Sequence, residues 1–480
     1  MDKNNQNQTN TNRHKWRPFV LIMALAVCVA SAFVVGRGMN APTTEQSPTT
    51  EETVKTLGAV KPPDETVMVY PGSVADFEGG SFKILVADKE RNTGFDGDSA
   101  PTILSRIDAD EGQMLAFDLN IDLKVVRLAD PVAYVMAAHA ANEGDTADLL
   151  VLDLFVENTS ELNHHAADLL AGGLLADLNR VENVHLDGDG YYTDINTALS
   201  VRGKTFLAAS DATAGFRDSL VGVIFDKEQL DVAPSELAAT VESGKWTLDT
   251  LHGIVKEQSG NGVYTDCNEA VVWMLGMGAR DAVPTEDGFR VSVTENGAVE
   301  LFGKLKGSLY GNVSSKGVVG SADAVFRQGT VGEFGTLDTA TYGMLPLPKA
   351  TEQGSYVSVA DPSRATVMAI TSFCDDRERS GTVMDNLVKR TAEHFAEAYI
   401  NDVSRGDTVS RASIEKMFES RSVCVIAVLG YPDTLEDACE TLILGKNTDL
   451  NAFLKQRSYF LQNALDIIVS DIAGDEDAEQ

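Results

Sequence analysis

A net charge of −33 on 480 residues leaves no surplus of Lys and Arg to neutralise phosphate, which speaks against nucleic acid and against an acidic lipid surface. Hydrophobic residues make up 43% and charged residues 23%, an ordinary globular balance, and the length gives room for more than one lobe. Five cysteines without a CxxC spacing support neither a zinc site nor a thioredoxin motif. Cys424 and Cys439 either bridge, in an oxidising compartment, or stay as buried thiols.

Residues 1–18 are polar and end in Arg13, His14, Lys15 and Arg17, a basic leader for the cytoplasmic side. Phe19 to Val35 carries no charge, and Gly36-Arg37 closes it. A positive flank before such a run makes residues 19–36 either a signal peptide or a signal anchor with one transmembrane pass. Ala30-Ser31-Ala32 fits a cleavage site that would release the protein, whereas Val27 before Cys28 breaks the lipoprotein pattern. Each variant puts the bulk of the chain outside the cytoplasm, held at the extracellular face of the cell membrane or secreted after Ala32. Residues 37–79 include APTTEQSPTTEET and KPPDET and read as a disordered spacer, too polar to pack. Residues 473–480 form an acidic tail, read as a solvated end.

The folded part begins near Phe82. Lys83 to Ala87 reads as a buried strand, residues 100–118 as a helix, and Ile121 to Leu128 as a strand. Pro131 to Ala141 has helical spacing, Leu149 to Leu152 is a second buried strand, and Glu161 to Leu170 is helical. Strands alternating with helices imply a parallel sheet. Ligands of open α/β sheets sit beyond the carboxyl ends of strands, which points to Arg91, Asn92, Asp153 and Glu157. An extended run, Thr205 to Ala209, is joined by the polar step Ser210-Asp211-Ala212-Thr213 to a second apolar run, Val221 to Phe225. That pattern suggests strands in two lobes with a hinge at 209–213. On this reading a proline at Ala212 impairs closure more than folding.

Thr247 caps a helix running to about Gln258. A strand pair is expected near Phe289 to Leu301. Tyr342 to Lys349 is extended, because each proline disfavours helix before it. Ala365 to Thr371 is extended as well. Thr382 to Val403, Ser410 to Glu419 and Leu450 to Ile472 are helices.

His164-His165 point about 100° apart if helical, so they do not face one ion and read as solvated. Asp187-Gly-Asp189 superficially resembles a calcium loop without the terminal bidentate Glu. No HExxH, GxSxG or GxxxxGK[ST] pattern is present, and nothing pairs two carboxylates as acid and base. The readings therefore include no cofactor and no metal. Tyr191-Tyr192 offer either a stacking surface for an apolar sugar face or packing beside a turn.

Five stretches in order resemble the extracellular solute-binding proteins of bacterial ABC importers, the family that includes maltose-binding protein. GGLLADLN, VRGKTFLAAS and VGVIFDKEQL look like that family's path from the edge of one lobe into the next. SGKWTLDTLHGIVKE resembles its second-lobe helix start, and YGMLPLPKATEQGSYVSVAD its return crossing. The resemblance covers most of residues 80–470. It implies a two-lobed, periplasmic-binding-protein-like type II (Venus flytrap) α/β fold without catalysis. Lobe 1 would take residues 80–209 with 356–405, and lobe 2 residues 210–355 with 406–472. It places ligand contacts at Arg91, Asn92, Asp153, Glu157, Asp211 and Tyr356, with Tyr191 and Tyr192 at the rim.

The implied function is a monomeric extracytoplasmic receptor that binds a small solute, a sugar, between its lobes and presents it to an ABC permease. Two alternatives stand beside it: a tethered sensor or scavenger without a permease, and a secreted hydrolase. Binding without product would separate receptor from hydrolase.

Overall fold

In a computed structural model the described residues are 55–56, 75–87, 103–142, 147–156, 164–257, 262–266, 269–295, 297–310, 318–319, 324–444 and 450–474. By its contacts the chain divides into residues 1–51 and 52–480, and the described residues belong to the second unit. The Phe19–Val35 run and the acidic tail beyond Gly474 lie outside them.

The first part of this unit builds one five-stranded sheet. Its elements are β1 (Lys55–Thr56), β2 (Gly80–Ala87), α1 (Ile103–Asp118), β3 (Ile121–Leu128), α2 (Pro131–Ala140) and β4 (Leu149–Asp153). A short hairpin, β5 (Phe155–Val156) and β6 (His164–His165), leads into α3 (Ala166–Ala171) and then α4 (Thr193–Ala198). The strand order is β1-β3-β2-β4, closed by the late strand Thr366–Ala369, and β2 runs parallel to both β3 and β4. Strand periodicity explains its two covers. Phe82, Ile84, Val86, Leu149 and Val151 face one side, where they pack with Leu115 of α1. Leu85, Leu150 and Leu152 face the other, where they meet Val132 and Val135 of α2 and Leu169 of α3.

The chain then crosses through α5 (Gly215–Asp218) into β7 (Val221–Asp226), α6 (Pro234–Glu242), α7 (Leu248–Glu257), β8 (Val263–Asp266) and α8 (Ala270–Gly276). The hairpin β9 (Ala282–Thr285) and β10 (Gly288–Val291) is followed by α9 (Ala298–Ser308), β11 (Val318–Val319), β12 (Phe326–Thr330), α10 (Val331–Phe334) and β13 (Tyr342–Pro346). These give a second five-stranded sheet, β11-β8-β12-β7-β13. The chain returns through β14 (Ser358–Ala360) to β15 (Thr366–Ala369), which pairs antiparallel with β4. Four helices follow: α11 (Arg377–Ser404), α12 (Thr408–Glu419), then after β16 (Arg421–Val423) the short α13 (Val425–Val428) and α14 (Pro432–Leu444). The chain's last described element is α15 (Leu450–Gly474). Helix α11 packs on α1 of the first sheet, α12 on β13 of the second, and the chain changes sheets between them at Arg405 in the left-handed region. Among the described residues no helix is long and apolar enough to cross a membrane.

Several expected elements are shifted. The helix expected from Glu161 begins at Ala166, because His164 and His165 pair as a strand with Val156 and Phe155. The strand pair expected at Phe289 to Leu301 lies at 282–291, because Gly288 takes the turn at φ 134°. Gly297, at φ 75°, then starts a helix through 298–308. The Thr205–Ala209 run forms an isolated bridge, Ala208 to Met368, rather than a full ladder. Helix α11 starts at Arg377, not Thr382, because the Asp376 carboxylate accepts the Arg379 N–H at 2.9 Å. Thr247 does cap α7, its Oγ1 accepting the Thr250 N–H at 3.2 Å. Trp246 is fully buried, and its Nε1–H donates to the Pro346 carbonyl at 2.8 Å, tying the start of α7 to β13. Cys424 and Cys439 are buried free thiols.

Gly343 of β13 lies opposite Phe225 of β7, and a Cβ there would sit 2.2 Å from the ring. The ring needs that missing side chain. Gly343→Ala therefore lowers unfolding stability by about 1–3 kcal/mol through overpacking, read from urea midpoints.

Candidate functional site

Chain order in the first sheet fixes where a crevice opens. From β2 the chain goes to β3 on one side, and from β3 it passes to β4 on the other. Such a switch point leaves a gap beyond the carboxyl ends of the two central strands. Here those ends are Ala87 and Asp153. Arg91, Asn92 and Glu157 lie just past them and outside the described residues.

Asp153 is 1% exposed and pairs in register with Thr366 of β15. The Thr366 hydroxyl lies 2.6 Å from that of Thr213, so the polar step reaches the same carboxyl edge. Just beyond β4, the Phe155 and His165 rings lie 4.7 Å apart. The His165 N–H donates to the Asp168 carboxylate at 2.8 Å, which fixes the start of α3. His165 is thus half-buried in a hairpin rather than solvated on a helix. Gly430, just after α13, comes within 3.8 Å of its ring at the place of an added Cβ. Tyr431 follows, its hydroxyl pushed to a higher pKa by burial and by Asp168 and Asp471.

The step from Ser210 to Thr213 is buried throughout. Asp211 and Tyr192 are brought together, the Tyr192 hydroxyl donating to the Asp211 carboxylate at 2.5 Å. Arg217 of α5 completes the cluster, its Nε donating to Asp211 at 2.7 Å and to the Tyr192 oxygen at 3.0 Å. Its guanidinium carbon lies 4.5 Å over the Phe418 ring and within 6 Å of the Tyr399 and Phe395 rings. Burial raises the Tyr192 pKa, with Arg217 opposing and Asp211 adding. For Arg217, burial favours the neutral form, but Tyr192 and Asp211 outweigh it and hold the charge.

Tyr191 and Tyr192 are therefore not at a rim. They are 6% and 4% exposed. One face of Tyr192 carries Arg421, 4.4 Å from the centroid, and Phe216 meets it edge-on at 5.3 Å. Burial and the guanidinium over one face leave Tyr192 no open stacking platform for a sugar ring. Burial likewise pushes the Tyr191 hydroxyl up, with Asp385 adding to it. Tyr356 sits apart, donating to the Val241 carbonyl at 2.9 Å, with Lys349 and Lys416 5.1 and 5.8 Å from its ring centroid. Burial pushes its hydroxyl up to about 12. Ala212 is fully buried and its N–H donates to Ser210 Oγ at 3.2 Å, so a proline there disturbs folding before closure.

A second opening lies beyond the crossing. Ala208 flanks β15, and Tyr191 flanks Ser210, which places α4 at the end of the sheet away from β2. Between α4, residues 278–284 and β16 is a cavity of about 460 Å³. Arg421 bridges one wall, its Nη2 2.9 Å from Asp194. Asp281 stands in another, fully buried, accepting the Ile426 N–H at 2.6 Å and facing Cys424 Sγ at 3.4 Å. Burial raises its pKa despite those donors. On the second sheet, at the carboxyl end of β8, Thr265 donates to Glu269 at 2.7 Å and accepts from buried Trp273 at 3.2 Å.

Phe155, Glu269 and Tyr431 escape a sequence reading, since each occupies an ordinary context, and His165 is singled out there only as a solvated helical residue. Arg217 does leave a trace, as a lone cation in the apolar stretch Ala214 to Val223. Among the described residues no group of three His, Cys, Asp or Glu could hold a metal ion. The chemistry on offer is hydrogen bonding and ring contact.

No protein-family model matches the chain, and no curated relative does. Solved structures do. The sugar-binding protein MalE from the phytopathogen Xanthomonas citri aligns over 81% of this chain and 97% of its own, at 11% identity and a TM-score of 0.52. The GacH receptor of Streptomyces glaucescens, solved free and with acarbose, aligns over 81% and 98%, at 12% identity and 0.49. MalE from Listeria monocytogenes, solved with maltose, aligns over 82% and 98%, at 13% and 0.45. The likeness to the Xanthomonas protein gives this chain a periplasmic-binding-protein-like α/β fold.

Two outcomes follow from the buried charges. Arg217→Ala leaves Asp211 buried without its cation and lowers stability by about 3–5 kcal/mol, measured by denaturant unfolding. Asp281→Asn keeps an acceptor but removes a charge that the fold penalises. A raised folded pKa means that wild type loses stability as pH rises from the unfolded value through the folded one. The Asn variant should therefore melt higher than wild type at neutral pH, and the gap should close on acidification below the unfolded carboxylate pKa. A constant gap across that range would contradict it.

Proposed function

We propose that the chain is an extracytoplasmic receptor that binds a small, neutral, polyhydroxylated solute, a sugar, between its two sheets and delivers it to an ABC-type permease. The fold supports this reading, and the single observation that carries it is the switch-point edge of the first sheet. Asp153, Thr366, Phe155 and His165 gather there, and Gly430 and Tyr431 of the C-terminal segment come up against them. Carboxylates and hydroxyls suit sugar hydroxyls, and partly exposed rings suit their apolar faces. A net charge of −33 favours an uncharged solute over an anion. The sugar-binding MalE shares the fold.

In this reading the lobes are residues 80–209 with 356–405 and 210–355 with 406–472. The ligand-contact set is Arg91, Asn92 and Glu157 with Phe155, His165 and Tyr431, over a buried floor of Asp153 and Thr366. Asp211, Tyr192 and Tyr191 are its support, and Tyr356 is outside it. The receptor works as a monomer on the outer face of the membrane.

A thermal-shift panel of maltose, maltotriose, ribitol and neutral monosaccharides tests it. At a hundredfold excess over Kd a bound sugar stabilises the fold by about 2.7 kcal/mol, with no product on chromatography. The reading fails if no sugar or polyol raises the melting temperature, or if the sugar is consumed.

A further inference from the structure

The chain beyond Arg421 packs on both sheets' layers, and it is held far more firmly by one of them. Its hold on the second is polar and close. The Gln462 side chain on α15 pairs with the free edge of β10. Its amide nitrogen donates to the Phe289 carbonyl at 2.7 Å, and its oxygen accepts the Val291 N–H at 2.8 Å. Val469 lies against Gly288, where a Cβ would sit 2.7 Å from it. Upstream, α14 packs on α8, and Ile426 is bonded to Asp281.

One turn past Val469 the same helix reaches the first sheet's layer. It packs on α3 there, and Ile472, 7% exposed, shares a cavity wall with Leu170, Gly173 and Arg377. Asp471 beside it lies close enough to Tyr431 to act on it together with Asp168 of α3. This contact is made by apolar side chains, Ile472 among them, beside a cavity that Asp177, Arg180, Lys204 and Arg377 also line, and among the described residues it lacks the main-chain pairing that Gln462 makes at the other anchorage.

A helix of 25 residues is a rod about 37 Å long. A change in the angle between the layers cannot be absorbed along it, so it must appear at the weaker end. We propose that α15 is an interlobe strut, carried by the second layer, whose last turn against α3 sets the resting angle between the two. The inference rests on the two-lobed reading and not on the identity of the solute.

The full chain tests it without ligand. Spin labels attached through keto-bearing residues at positions 182 and 257 report the separation of the layers, both sites being exposed. Ile472→Ala and Ile472→Asp should shift the distance distribution, the Asp variant more, because it sets a carboxylate into a buried apolar contact. Ile467→Asp, on the 60% exposed face of the same helix, should leave it in place. Should the Asp variant fail to fold, the Ala variant decides. An unshifted distribution in folded Ile472 variants overturns the strut, as does an equal shift with Ile467→Asp. Since no sugar is added, a negative sugar panel leaves this test standing.

Discussion

Arg217 carries a guanidinium into the interior where the chain first leaves the first sheet for the second. A charge there is tolerated only with a full set of partners. Asp211 supplies the countercharge, Tyr192 a shared hydroxyl, and Phe418 a ring face. Those partners come from the crossing, the turn before α4 and the end of α12. The adjacent Asp218 receives the hydroxyl of Tyr399 on α11. One cation thereby fixes four segments that are far apart in sequence. Hydrophobic packing alone would allow them to slide, since it is not directional. The ion pair and its hydrogen bonds specify a single arrangement.

That arrangement changes what the polar step at 210–213 is. Its composition suggests a pliable hinge, yet every residue in it is buried and bonded. It is joined to its neighbours by the isolated bridge of Ser210 to Tyr191 and then turns at Asp211 and Ala212. The next residues are also held, with the Asp361 N–H on the Ser219 carbonyl at 2.8 Å and the Val331 N–H on the Leu220 carbonyl at 2.9 Å. Any bending between the sheets has to be distributed over these linked crossings and the strut rather than concentrated in one loose loop.

Periodicity made much of the fold legible in the sequence. Strands β2, β3 and β4, helix α2 and the long C-terminal helices follow their apolar patterns closely, because each buries a continuous face. Boundaries failed where a side chain or glycine decided them, as with Asp376 before α11 and Gly288 in the hairpin. Between α12 and α15, β16 and α13 are too short to show a period, and the 13-residue α14 was passed over as well. The site was less legible. Asp153 follows from the strand-end rule, but Tyr192 looks like a stacking platform until it is seen to be buried, with Arg421 over one face and Phe216 in T-shaped contact. Phe155 and His165 meet through a hairpin, and Gly430 joins them from 265 residues further along the chain. Nothing local in the sequence records such pairings.

The proposed capture of a neutral solute between two linked sheets is tested most directly by solution scattering with and without the sugar selected by the thermal panel. The account predicts a contraction of the scattering envelope on saturation, reversed by dialysis, with the sugar recovered unchanged. Saturable binding with an unaltered envelope would contradict closure between the sheets, and recovery of a cleaved sugar would contradict a receptor.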